Sequence, residues 1–199
     1  MTYTILKFVH VLGAILIGGG LIGVWLADLR SRQVHELTQF SEAVRNIAIF
    51  YDGVVIPGAL LLLASGTWLI VAQFGGWNFI HIPWLAGMIF LFAFEFIEGN
   101  TITRIYFMRL RRLTKEAIKV GGFTQELEIA RAESLPTFTH FLDIPMLFLI
   151  IALGVIKPDS WSLFLAGSAT AILIAAVLTM YIPKLYPWAT KDKHCHEQT

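Results

Sequence analysis

Four ionisable side chains sit at matched spacings within apolar stretches of the chain. Glu95 and Glu98 are three residues apart in one stretch, and His140 and Asp143 are three apart in another. A spacing of i, i+3 puts both members of a pair on one helix face. Carboxylates and imidazole in an apolar medium are costly unless they are paired or functional. Together with Asp52 they make a set suited to proton relay, to a metal or to a substrate. The same residues also fit a structural polar network that pins neighbouring helices, with Arg104 neutralising one acid.

His10 is the other chemical candidate. It lies on an apolar helix and is followed by Gly13, Gly18, Gly19, Gly20 and Gly23. A neutral imidazole beside a face of small residues is what haem bound to a helix would need, so His10, Gly18 and Gly19 are candidate cofactor contacts. Glycines on such a face equally let a neighbouring helix approach. His10 and His140 are the candidate metal ligands. His81, in a loop before Pro83, is a possible second ligand near the level of His10. The terminal His194-Cys195-His196-Glu197 set could chelate zinc or copper. The chain contains no phosphate-binding loop, dinucleotide fingerprint, CxxC pair or Ser/His/Asp set.

The elements that must position these groups are membrane helices. The chain is 56% apolar and 15% charged, against roughly 25% charged in an ordinary soluble domain. That is too little charge to cover a water-soluble surface. Five apolar runs, at about 4–27, 47–74, 83–107, 138–156 and 161–182, each approach the ~20 residues that cross the hydrocarbon layer as a helix. The expected fold is all-α, a single polytopic bundle over residues 1–188, followed by a mobile cytoplasmic tail at 189–199. One cysteine excludes an intrachain disulfide. A net charge of +1 offers no argument for nucleic acid.

Five crossings put both long, charged connections (28–46 and 108–137) and the tail on one side. All of the 15 Lys and Arg except Lys7 and Lys157 then fall on that side, which the positive-inside rule makes cytoplasmic. The N-terminus is expected outside and the C-terminus inside, with no cleaved signal segment. Trp68, Trp77, Trp84 and Trp161 fall at the expected outer boundary, and Trp25 and Trp188 at the inner one. His10 then lies ~9 Å below the outer boundary and His140 ~5 Å above the inner one. They should not share one iron, being ~15 Å apart in depth. The connections read as partly helical, with Val34, Leu37, Val44 and Ile47, and Leu110, Leu113 and Ala117, at helical spacing before Gly121-Gly122. Arg109, Arg111, Arg112 and Lys115 are placed to meet anionic headgroups or a cytosolic partner.

The run Leu6-Lys7-Phe8-Val9-His10-Val11-Leu12-Gly13, followed by Gly18-Gly19-Gly20, resembles the first helix of the copper-resistance-D-like superfamily, which includes the HemJ-type protoporphyrinogen oxidases. Thr139-His140-Phe141-Leu142-Asp143-Ile144-Pro145, Ile156-Lys157-Pro158 and the ending Ile182 to Trp188 resemble a bacterial family of predicted integral membrane proteins of unknown function in that broad group. The resemblance implies a bundle of the bacterial inner membrane and b-type haem with His10 as an axial ligand. The HemJ pattern also uses an intramembrane lysine on a later helix, where this sequence offers Glu95 and Glu98. The leading expectation is therefore an inner-membrane redox protein holding haem or a metal, with membrane oxidoreductase as its candidate enzyme class. The rivals are a proton- or metal-ion-coupled transporter and a non-catalytic membrane partner of an oxidase complex. Expected partners are the lipid bilayer and either a second copy or a membrane redox partner.

Overall fold

The structure, a computed structural model, describes residues 2–188; the His194-Cys195-His196-Glu197 set and the expected tail lie outside them. All regular elements among the described residues are helical: α1 (Thr2–Gln33), α2 (Leu37–Phe50), α3 (Ile56–Phe74), α4 (Pro83–Glu98), α5 (Arg104–Val120), α6 (Gln125–Arg131), α7 (Ser134–Ile156) and α8 (Ser162–Leu185). Hydrocarbon offers no partner to backbone N–H and C=O groups, and a helix satisfies them within itself. Five continuous helical lengths are long and apolar enough to cross a membrane: Thr2–Gln33, Leu37–Phe74, Pro83–Val120, Gln125–Ile156 and Ser162–Leu185.

Two of these lengths exceed what a bilayer needs. The second and third run for 38 residues each, or ~57 Å against ~30 Å of hydrocarbon. The surplus lies at the basic end, where the sequence led us to expect connections that are only partly helical. There α2 buries Phe40, Val44 and Ile47, and α5 buries Tyr106, Phe107, Leu110, Leu113 and Ala117. With Val24, Ala27 and Val34 from the α1 end and Leu127 and Ala130 from α6, these form one apolar core that begins at the inner ends of the expected spans and continues past them. α5 stops at Gly121, which adopts φ 80° and donates its amide to the Ala117 carbonyl at 3.0 Å; the left-handed backbone there suits glycine.

This cap contains the most deeply buried cations. Arg32 is 2% exposed and donates to Asp28 at 3.0 Å. Its guanidinium carbon lies 4.5 Å from the Trp188 ring centre. Arg131, also buried, pairs with Glu128 and lies over the same indole. Arg32 and Arg131 are thus internal braces of the cap, whereas Arg111, Arg112 and Lys115 are exposed. Trp25 was expected at the inner boundary. Its ring packs edge-on to Phe141, and its indole N–H is buried without a hydrogen-bond partner among the described residues.

Within the bundle, α1 packs along α3, and α7 packs against α1, α4 and α8. α3 and α4 meet mainly through the 3₁₀ turn Gly76–His81 that joins them. The α1–α3 contact is backbone to backbone. A Cβ at Gly13 would lie 2.9 Å from the Gly58 carbonyl oxygen and 2.9 Å from the Leu62 nitrogen. Such close packing of small residues is a main way for helices to associate in lipid, where burial of apolar surface offers little gain. α8 turns Leu165, Leu173 and Tyr181 outward, as a lipid-facing helix does.

Candidate functional site

The second and third spans are not uniform α-helices. Each widens to a π-helical turn, at Tyr51–Val55 and at Gly99–Thr103. Pro57, in the first turn of α3, has no N–H, and its ring crowds the carbonyl four residues back. The wide turn just before it accommodates that fault. The second turn has no proline. Its surroundings contain local polar caps: Asn100 Nδ2 donates to the Phe96 carbonyl at 2.7 Å, and Thr101 Oγ1 to the Ile97 carbonyl at 2.7 Å. The two turns are tied together by the Tyr51 hydroxyl, which donates to the Gly99 carbonyl at 2.7 Å. Single π turns within α-helices are often found at functional sites.

Glu98 is the last residue before the second π turn, and Glu95 lies one helical turn earlier. α4 packs on α7, so the two i, i+3 pairs face each other. One carboxylate oxygen from each of Glu95, Glu98 and Asp143 lies within 4.8 Å of the others. Glu98, Asp143 and His140 are 6%, 5% and 4% exposed. Thr103 Oγ1 donates to Glu98 Oε1 at 2.7 Å, and the Thr139 hydroxyl lies 3.1 Å from that of Thr103. Glu95 Oε1 is buried without a hydrogen-bond partner. His140 packs edge-on to Phe107, and its Nδ1 lies 3.8 Å from Asp143 Oδ2. Neither of its ring nitrogens makes a hydrogen bond.

Beside the cluster is a cavity of about 80 Å³ between α1, α3, α4 and α7. Glu95, Asp143, Tyr51 and Asn100 contribute its polar lining, with Leu21, Phe92 and Ile150 among the apolar walls. A site needs ~10–15 Å³ by this kind of measure to hold one water, so several waters fit. The salt bridges among the described residues pair Arg32 with Asp28, Arg104 with Asp52, Arg109 with Glu133, Arg112 with Glu116 and Arg131 with Glu128. None joins a Lys or Arg to Glu95, Glu98 or Asp143.

Four of the five carboxylate and imidazole candidates therefore come together, and the fifth does not. Asp52 is exposed and accepts from Arg104 Nε at 3.2 Å. Arg104 does neutralise an acid, but one outside the cluster. Thr103, Thr139 and Tyr51 belong to the site and were not singled out from the sequence. The available signals were weak: a hydroxyl five residues after Glu98, a hydroxyl adjacent to His140, and a tyrosine beside Asp52.

The His10 set does not assemble. His10 Nδ1 lies 3.1 Å from Ser65 Oγ, whose hydroxyl is 2.6 Å from the Leu61 carbonyl oxygen. The imidazole lies over Gly66, with Cε1 3.1 Å from where a Cβ would be. At 3.6 residues per turn, Gly18 is rotated by about 80° from His10 and Gly19 by about 180°. Gly18 faces Leu147, and nothing lies within 4 Å of a Cβ at Gly19. Gly13 and Gly20, about 60° and 80° from His10 on its other side, are closed by α3 and by Val55. These residues offer no common slot for a porphyrin, and they do not fit haem. The exposed His81 lies in the 3₁₀ turn.

No curated protein and no solved structure matches the chain. The family model described as predicted integral membrane protein (DUF2269) matches residues 4–158, a stretch that contains α1 to α7 almost whole and every residue of the carboxylate cluster. The chain is a multi-pass integral membrane protein and belongs to this family.

Proposed function

We propose that this protein binds and exchanges a cation, a proton or a metal ion, at Glu95, Glu98 and Asp143, and couples that exchange to transport across the bacterial inner membrane. The observation that carries the reading is the meeting of three carboxylates within 4.8 Å with no salt bridge to a Lys or Arg among the described residues. Two unit charges at that separation repel by about 3–4 kcal/mol at an effective dielectric of ~20. The cluster is compact only with protons or a cation in place, and the adjoining cavity gives water and ions a place beside it. The two π turns supply helix segments whose hydrogen bonding is already altered, which suits a site that must open and close. The likeness of the first helix to the copper-resistance-D-like superfamily supports the inner membrane as the location. The positive-inside rule supports a cytoplasmic basic end, with the cluster in the cytoplasmic half. The redox reading finds no comparable support at His10.

The test uses the full chain in liposomes with a trapped pH-sensitive dye, under an imposed potential and with single cations added in turn. The reading expects proton movement above that of empty vesicles, stimulated by at least one cation. Glu95→Gln and Asp143→Asn abolish it, and the surface variant Glu116→Gln does not. Wild-type vesicles indistinguishable from empty ones for every ion, or unchanged flux in Glu95→Gln, would overturn it.

A further inference from the structure

We infer that Glu95, Glu98 and Asp143 ligate one divalent cation through oxygen, with His140 holding Asp143 from behind; the inference rests on the cation-exchange reading and names its cargo. Oxygen donors bind divalent ions at roughly 2.0–2.6 Å, so two donors on opposite sides of one ion stand ~4–5 Å apart. Only one pair can stand opposite and the other sides of a three-donor triangle are ~3–4 Å, so the three carboxylate oxygens, all within 4.8 Å of one another, draw together by up to about 1–2 Å through side-chain rotation.

His140 is the independent pointer to a ligand. It is 4% exposed, both ring nitrogens lack a hydrogen bond, and Nδ1 is 3.8 Å from Asp143 Oδ2. A buried imidazole left unsatisfied beside an acid is costly in a merely structural network. As the outer partner of a metal-bound carboxylate it has a task, because ligating carboxylates are themselves held by hydrogen bonds. Thr103 does the same for Glu98, through its 2.7 Å bond.

Charge selects the valence. A monovalent ion leaves two surplus negative charges among three ionised carboxylates, and no Lys or Arg among the described residues forms a salt bridge with them. A divalent ion leaves one. The cavity bordered by Glu95 and Asp143 has room for waters to complete the shell. Small divalent ions that dehydrate reluctantly keep several waters. The chemistry is that of a hard divalent cation such as Mn²⁺ or Mg²⁺.

Mn²⁺ is the probe. The full chain, in detergent and stripped with EDTA, is titrated while the electron paramagnetic resonance signal of free Mn²⁺ is followed. The expected result is one Mn²⁺ bound per chain, with binding lost in Asp143→Asn and Glu95→Gln and weakened about 10–100-fold in His140→Gln. Glu116→Gln binds as the parent does. Should Asp143→Asn fail to elute as the parent does, Glu95→Gln carries the same test. No saturable binding by the parent, or parent-like binding by both carboxylate variants, would overturn the inference. Proton movement in vesicles that depends on Glu95, with no Mn²⁺ bound, overturns the metal assignment alone and leaves the proton as cargo. Stoichiometric Mn²⁺ binding with silent vesicles supports the site and overturns the transport reading instead.

Discussion

Gly99 and Tyr51 give the sharpest quantitative prediction, because one contact both ties the two π turns together and excludes a methyl group. A Cβ at Gly99 would lie 2.7 Å from the Tyr51 hydroxyl oxygen, and the next atom it would meet, Tyr51 Cζ, is 4.0 Å away. Gly99→Ala therefore drives the hydroxyl out of a position where it is 2.7 Å from the Gly99 carbonyl. Overpacking of this kind costs about 1–3 kcal/mol, and replacing glycine within a helical segment returns about 0.5–1 kcal/mol. Tyr51→Phe loses one buried hydrogen bond, at about 0.5–1.5 kcal/mol, while the Gly99 carbonyl keeps the Arg104 N–H. In the Tyr51→Phe background the obstructing oxygen is gone, and the remaining 4.0 Å contact is ordinary. There Gly99→Ala should be neutral or stabilising by up to about 1 kcal/mol. The substitution thus changes from harmful to harmless, a coupling of about 1–3 kcal/mol, as expected for residues in contact. Unfolding of the four proteins by SDS titration, followed by circular dichroism in mixed micelles, measures the cycle. Strict additivity would refute the claim that this hydroxyl and this glycine share one space, and with it the bridge between the π turns beside Glu98.

Other substitutions test the packing that surrounds the site. Arg32→Ala strands a buried Asp28 and should cost about 3–5 kcal/mol; Asp28→Ala combined with Arg32→Ala should cost less than Arg32→Ala alone, in the same SDS titration. Gly13→Ala forces the α1 and α3 backbones apart and should lower stability by about 1–3 kcal/mol, whereas Gly19→Ala, with nothing within 4 Å, should be neutral or stabilising by up to about 1 kcal/mol. Equal effects at Gly13 and Gly19 would contradict the assignment of the glycine face to helix packing.

Several features were legible along the chain because they depend on local composition. The i, i+3 pairs on α4 and α7 needed only helical periodicity, and both pairs enter the cluster. The cap was foreshadowed by Val44, Ile47, Leu110, Leu113 and Ala117, whose spacing marks amphipathic helices. Their extent was not: α1, α2 and α5 continue well past the apolar runs because they bury one another, and an average over hydropathy does not register a core built largely from amphipathic helices. The His10 set failed for a related reason. Gly19 is near His10 in sequence but on the opposite side of the helix, and the glycines to either side of His10 face neighbouring helices or side chains.

The sequence by itself determined that there are five spans, roughly where they lie, and which end of the bundle is basic. Each of these follows from transferring about twenty neighbouring residues into hydrocarbon, a free energy summed along the chain without reference to any partner. Only the tertiary structure decided that Asp143 meets Glu95 and Glu98 while Asp52 turns to Arg104, that the glycines of α1 are closed by α3, and that Arg32 and Arg131 are internal. Those outcomes depend on how each helix is rotated about its axis and which neighbour it meets, and these are settled by side chains far apart in the chain packing into shared space.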